Sequence, residues 1–107
     1  MGVARTVAVA GIRAIFGYGS TGSMVALTNR VSSTGVVSSD TAGIGTARSQ
    51  LAAAGYGTDK AIFGYGTISG TGSTSITNLV SNTGVVSGDV TGVGTARAAI
   101  AASSYGS

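Results

Sequence analysis

Asp40, Asp59 and Asp89 are the whole acidic inventory of this chain, and His and Cys are both absent. That removes the usual general base, the thiolate nucleophile and the common zinc ligands. Asp40 and Asp89 stand 49 positions apart in matching surroundings, so each occurrence offers a single carboxylate. Glycoside hydrolysis needs two carboxylates flanking one bond. The residue types therefore predict no enzyme, no cofactor and no metal.

The charged residues that do recur are spaced alike. Arg48 follows Asp40 by eight residues, and Arg97 follows Asp89 by eight. A repeated ligand contact is one reading of these pairs. A clamp, made by an ion pair or by bonds to backbone, is the reading favoured here. Tyr18, Tyr56, Tyr65 and Tyr105 are the candidates for stacking on sugars. The competing expectation is that Phe16 and Phe63 fill the space between sheets with the tyrosines beside them. Asn29 and Asn78 recur in mid-strand, where an amide can bond neighbouring backbone. Gly17-Tyr18-Gly19 and Gly43-Ile44-Gly45 lack the strand–GxxxxGK–helix context of a phosphate loop.

These spacings belong to an internal duplication. Arg13 to Gly19 returns as Lys60 to Gly66, 47 positions on, and Val31 to Arg48 returns as Val80 to Arg97, 49 positions on. The second pair of segments is identical at 13 of 18 positions. The two extra residues fall in the loop near Thr67 to Gly72. A period in the high forties predicts a repeat array. The boundaries are about 6–48 for the first repeat and 49–97 for the second, with an extra strand at 98–103.

Short β-type runs alternate with Gly, Ser, Thr and Asn turns, which predicts an all-β fold. The expected strands are Ala14–Tyr18, Met24–Val31 and Gly35–Ser38, with twins at Ala61–Tyr65, Thr74–Val80 and Gly84–Ser87. Thr46 to Gly55 and Thr95 to Ser104 carry alanines and an N-cap threonine that suit a short helix. Strand is favoured there, because Arg5 to Gly11 looks like the same element and alternates Val with Ala.

The 107 residues suffice for one small domain. Its apolar content is largely Ala and Val, with two Phe and no Trp. Such side chains bury little area each, at roughly 25 cal/mol per Å². Net charge is +3 and the basic residues are scattered, so nucleic acid is not the expected partner. No run approaches the roughly 18 apolar residues of a membrane span.

In this order the unit resembles a kelch-type propeller blade. The Arg-bearing crossover at Arg48 leads to Leu51–Ala54, then to Ile62-Phe63-Gly64-Tyr65-Gly66, Ser75–Val80 and Val85-Val86. The family's adjacent double Gly appears as Gly-Tyr-Gly, and its outer-strand Trp is missing. The AIFGYG and TGVVS–D–GxGTAR blocks are also similar in style to repeats of tail-fibre-like structural proteins of marine phages. The resemblance implies two tandem four-stranded propeller-type blades and a virion or extracellular role.

Two such blades need eight strands, and the unit order supplies one more of the inner type. The expectation is a homo-oligomer, completed by strand exchange through Ala98–Ser103. A six-bladed trimer is the first choice and a strand-exchanged β filament the second. The function expected is a non-enzymatic, self-assembling structural module. A carbohydrate- or receptor-binding propeller, with glycans as partners, is the alternative.

Overall fold

The computed structural model describes residues 12–105, so the expected strand at 6–10 lies outside the described residues. Every regular element among them is a strand. In the first unit β1 (Ile12–Gly17) pairs antiparallel with β2 (Thr28–Ser32), placing Phe16 opposite Asn29. In the second unit β3 (Ala52–Tyr56), β4 (Lys60–Gly64) and β7 (Thr77–Val80) form an antiparallel sheet in the order β3-β4-β7. Phe63 there stands opposite Asn78, as Phe16 does opposite Asn29. The two-residue insertion lengthens a small hairpin, β5 (Thr67–Ile68) with β6 (Gly72–Ser73), whose counterpart in the first unit is the single bridge between Ser20 and Met24.

The expected second strand is shorter than its sequence pattern. It was expected from Met24 and begins at Thr28. The reason is a bend at the end of β1, where Tyr18 and Gly19 take φ of 64° and 100° and interrupt the regular ladder. Single bonds remain there, from the Tyr18 amide to the Leu27 carbonyl and from the Val25 amide to the Gly19 carbonyl. Tyr65 and Gly66 repeat the bend at 66° and 104°. A side chain at Gly66 would place its Cβ 2.7 Å from the Ser49 carbonyl, so the bend needs glycine there for space as well as for φ.

The expected third strand shrinks to one bridge in each unit, Val31 with Val37 and Val80 with Val86. The turn before it is tightly held. Ser32 Oγ accepts from the amides of Thr34 and Val36, and Ser81 Oγ does the same for Thr83 and Val85. The favoured strand after Arg48 is observed as β3. Its twin segment, Ala98–Ser103, is irregular here, and Ala99 donates its amide to the Gln50 carbonyl at 2.8 Å.

The core lies between the units. Tyr18, Phe63, Val80 and Val86 are buried, with Ile15, Ala26, Leu51 and Ala61 packed on them. Tyr18 comes from the first unit, and the other three buried members come from the second. Tyr18 of the first unit thus covers the Phe63 face of the second, so that the two units share one core.

Candidate functional site

The chemistry-bearing side chains converge on the junction between the units. The crossover after β2 carries Thr46 and Arg48 from the first unit to the middle of β7. Arg48 is fully buried. Its Nε donates to the Tyr65 carbonyl at 2.8 Å, Nη1 to the Thr46 carbonyl at 3.0 Å and Nη2 to Asn78 Oδ1 at 2.6 Å. The guanidinium also lies over the Tyr18 ring, 4.7 Å from its centroid. A planar fork with fixed donors suits this task in a way an ammonium does not.

Asn78 is fully buried too and passes the contact on. Its Nδ2 donates to the Ser87 carbonyl at 3.1 Å and to Asp89 Oδ1 at 3.0 Å. Asp89 then reaches back across the junction and accepts from the Thr46 amide at 3.1 Å and the Thr46 hydroxyl at 2.6 Å. Burial alone would raise the Asp89 pKa. The bonds from the Thr46 hydroxyl, Asn78 and the Thr46 amide, with the nearby Arg48 charge, outweigh it and hold the carboxyl below its ordinary value. Among the described residues no buried side-chain polar atom lacks a partner.

Tyr18 is absorbed into the same junction. Its ring packs on Phe63 with centroids 5.2 Å apart, and its hydroxyl donates to the Ile44 carbonyl at 2.8 Å. Burial pushes its pKa up, against the lowering effect of Arg48. Tyr65 repeats the hydroxyl bond to the Val93 carbonyl at 2.8 Å and lies under Arg97, 4.9 Å from ring centroid to guanidinium. Tyr56 is partly exposed with Lys60 Nζ 5.8 Å above its ring, and Tyr105 is almost wholly exposed. The four tyrosines do not form one surface: Tyr18 braces the junction, Tyr65 lends it only its carbonyl, and Tyr56 and Tyr105 lie outside it.

The Asp and Arg residues are joined differently from their spacing in sequence. Asp40 accepts from Asn29 Nδ2 at 2.9 Å, while Arg48 works on the other unit's backbone and on Asn78. The clamp thus runs from Arg48 through Asn78 to Asp89, between units. Asn29 and Asn78 each bond nearby backbone, as their mid-strand position suggested, through Ser38 and Ser87. Phe16 differs from the expectation for the phenylalanines: Phe63 is 4% exposed and Phe16 is 63% exposed. The face of β1 that carries Phe16 has no second sheet over it among the described residues.

The sequence marks Thr46 as a helix N-cap, whereas the structure makes it the partner of Asp89. It sits in the TAR block that both repeats share, and an invariant hydroxyl two residues before each Arg was the available signal. A cleft of about 630 Å³ lies beside the junction, with Arg13, Asp59, Lys60 and Asn82 at its rim. Lys60 Nζ and Asn82 Nδ2 both bond Asp59 there, each at 3.1 Å. No protein-family model, no curated protein and no solved structure matches the chain.

Proposed function

We propose that this chain is a non-enzymatic structural module that assembles with copies of itself, as a propeller-type ring or as a filament. The carrying observation is the ratio of core to exposed apolar surface. Among the described residues four hydrophobic side chains are buried, while Phe16, Val36, Val37, Ile44, Tyr56, Leu79, Val85, Val90, Val93 and Tyr105 are all large and exposed. A fold with so little interior is stabilised by covering such surface with neighbours. The low charge content offers little repulsion between copies.

The residue inventory supports the non-enzymatic part, since neither His nor Cys is present and Asp40, Asp59 and Asp89 have separate partners. The repeat style, with its likeness to phage tail-fibre-like proteins, favours a virion or extracellular setting. Sedimentation velocity across a hundredfold range of concentration, with negative-stain imaging of the largest species, tests the reading. Discrete rings or filaments are expected. A monomer at every concentration would overturn it.

A further inference from the structure

The two units share one design and differ in what covers them. Phe63 is 4% exposed and its twin Phe16 63%; Val86 is 8% exposed and its twin Val37 52%. Arg48 is fully buried, and its twin Arg97 is exposed. Asn78 is fully buried, and its twin Asn29 is half-buried. The difference has a direction. In the first unit the end bearing Tyr18, Thr46 and Arg48 is covered. In the second unit the end bearing Phe63, Asn78 and Val86 is covered, with Asp89 bonded at its exposed margin, and each end covers the other.

Two faces of the same composition stay open. One is the Arg end of the second unit, with Tyr65, Thr95 and Arg97. The other is the Phe end of the first unit, with Phe16, Asn29, Val37 and Asp40. Both already hold the poses seen in the closed junction. Arg97 donates through Nη1 to the Thr95 carbonyl at 3.1 Å and lies over Tyr65, as Arg48 does with Thr46 and Tyr18. Asn29 bonds the Ser38 carbonyl at 3.1 Å and Asp40 at 2.9 Å, as Asn78 bonds Ser87 and Asp89. Among the described residues Arg97 Nε and Nη2 find no acceptor and Asn29 Oδ1 finds no donor. Those are the atoms whose twins make the internal clamp. Preorganised groups of this kind lower the cost of docking.

We propose that the two open faces bind each other between copies, so that the internal junction is repeated head to tail. This deepens the self-assembly reading and rests on it. Arg97 of one copy donates to Asn29 Oδ1 and the Tyr18 carbonyl of the next. Thr95 donates to Asp40 of the next copy, and Phe16 of that copy covers Tyr65. The pairing is complementary in charge, with Arg97 on one side and Asp40 on the other. Ser49 exchanges two backbone bonds with Thr67, at 3.0 and 2.7 Å, and the twin exchange joins Ala98 to Ser20 of the next copy. One contact does not carry over. Arg30 Nε bonds the Gly84 carbonyl at 3.0 Å, and the twin of Arg30 is Leu79. The junction between copies is therefore weaker than the internal one. A heterologous contact of this type closes into a ring or extends as a filament, according to its rotation.

Two variants, each with one face disabled, test the pairing. Arg97→Glu blocks the Arg end and leaves the Phe end intact; Phe16→Asp does the reverse. Both positions are exposed, and circular dichroism checks that each variant folds. Each alone is expected to sediment as a monomer of 10.2 kDa, while wild type assembles. An equimolar mixture is expected to give a one-to-one dimer and nothing larger, because one live junction remains. If either variant assembles like wild type, the proposed faces are wrong and self-assembly uses another surface. If the mixture stays monomeric, the head-to-tail pairing is wrong. If wild type itself never assembles, the function reading fails together with this one. A second measurement uses the cysteine-free background. Asp40→Cys combined with Thr95→Cys, treated with a short bis-maleimide, is expected to give a ladder of cross-linked chains. Monomers alone would overturn the proposal.

Discussion

Arg48 Nη2 lies 2.6 Å from Asn78 Oδ1, and both side chains are fully buried. This bond ties the crossover of the first unit to the middle of β7 in the second. Together with the Asp89–Thr46 bonds it makes a closed circuit between units. Buried polar networks are costly when broken, because each stranded group loses water without gaining a partner.

Arg48→Ala is expected to destabilise the chain by about 3 kcal/mol or more. It strips a donor from the buried Asn78 Oδ1, at about 1–3 kcal/mol for an unsatisfied buried group. It also strips donors from the part-buried Tyr65 and Thr46 carbonyls and removes the packing of the guanidinium on Tyr18. Arg48→Lys is expected to recover little, since one ammonium cannot serve three acceptors in the plane of the fork. Urea unfolding reads both variants. A midpoint unchanged in Arg48→Ala would show that the clamp adds nothing to the fold.

Phe63→Ala and Phe16→Ala are expected to differ sharply although the residues are twins. Phe63 packs on Tyr18 within the core, and truncation there costs about 3–5 kcal/mol. Phe16 is exposed, and its truncation is expected to move monomer stability by no more than about 0.5 kcal/mol. Thermal unfolding at concentrations where the chain is monomeric makes the comparison. Equal losses would mean that Phe16 is covered within one chain.

Gly17→Ala is expected to cost about 1–3 kcal/mol by overpacking. A Cβ at Gly17 would stand 2.7 Å from Phe63 Cζ, at the point where β1 meets the second unit. Phe63→Leu shortens the opposing side chain, so the double variant should lose less than the sum of the two single changes. Strict additivity in a double-mutant cycle would rule out the contact.

Much of the fold was legible because the duplication fixes what must recur. The strands β1 and β4 follow from their alternation, and the strand after Arg48 from its likeness to Arg5–Gly11. The second strand was read as too long because alternation in Met24–Leu27 continues past the bend, and alternation does not encode a positive φ at Tyr18. The clamp was read within one repeat because spacing in sequence cannot tell Asp40 from Asp89 as the neighbour of Arg48. The choice is made by packing of one unit on the other, which also separates Phe16 from Phe63. Twins of identical sequence differ only through their surroundings.

Acid is expected to weaken the junction through Asp89. Its folded pKa lies below the ordinary carboxylate value, because the Thr46 and Asn78 bonds outweigh burial. The unfolded chain therefore binds the proton more readily, and this contribution is fully present above about pH 4. It is lost as pH falls through the folded pKa. Asp59 is also lowered, by Lys60 first and then Asn82, but that pair is exposed and salt screens it. Unfolding midpoints from pH 7 down to pH 2, in high salt, should isolate the Asp89 part. Asp89→Asn is expected to lower stability at neutral pH, since its NH₂ would face the donors of Asn78 or Thr46, and to flatten the acid slope. Asp59→Asn should leave most of that slope in place. An Asp89→Asn variant that keeps the full acid dependence would place the titrating group elsewhere.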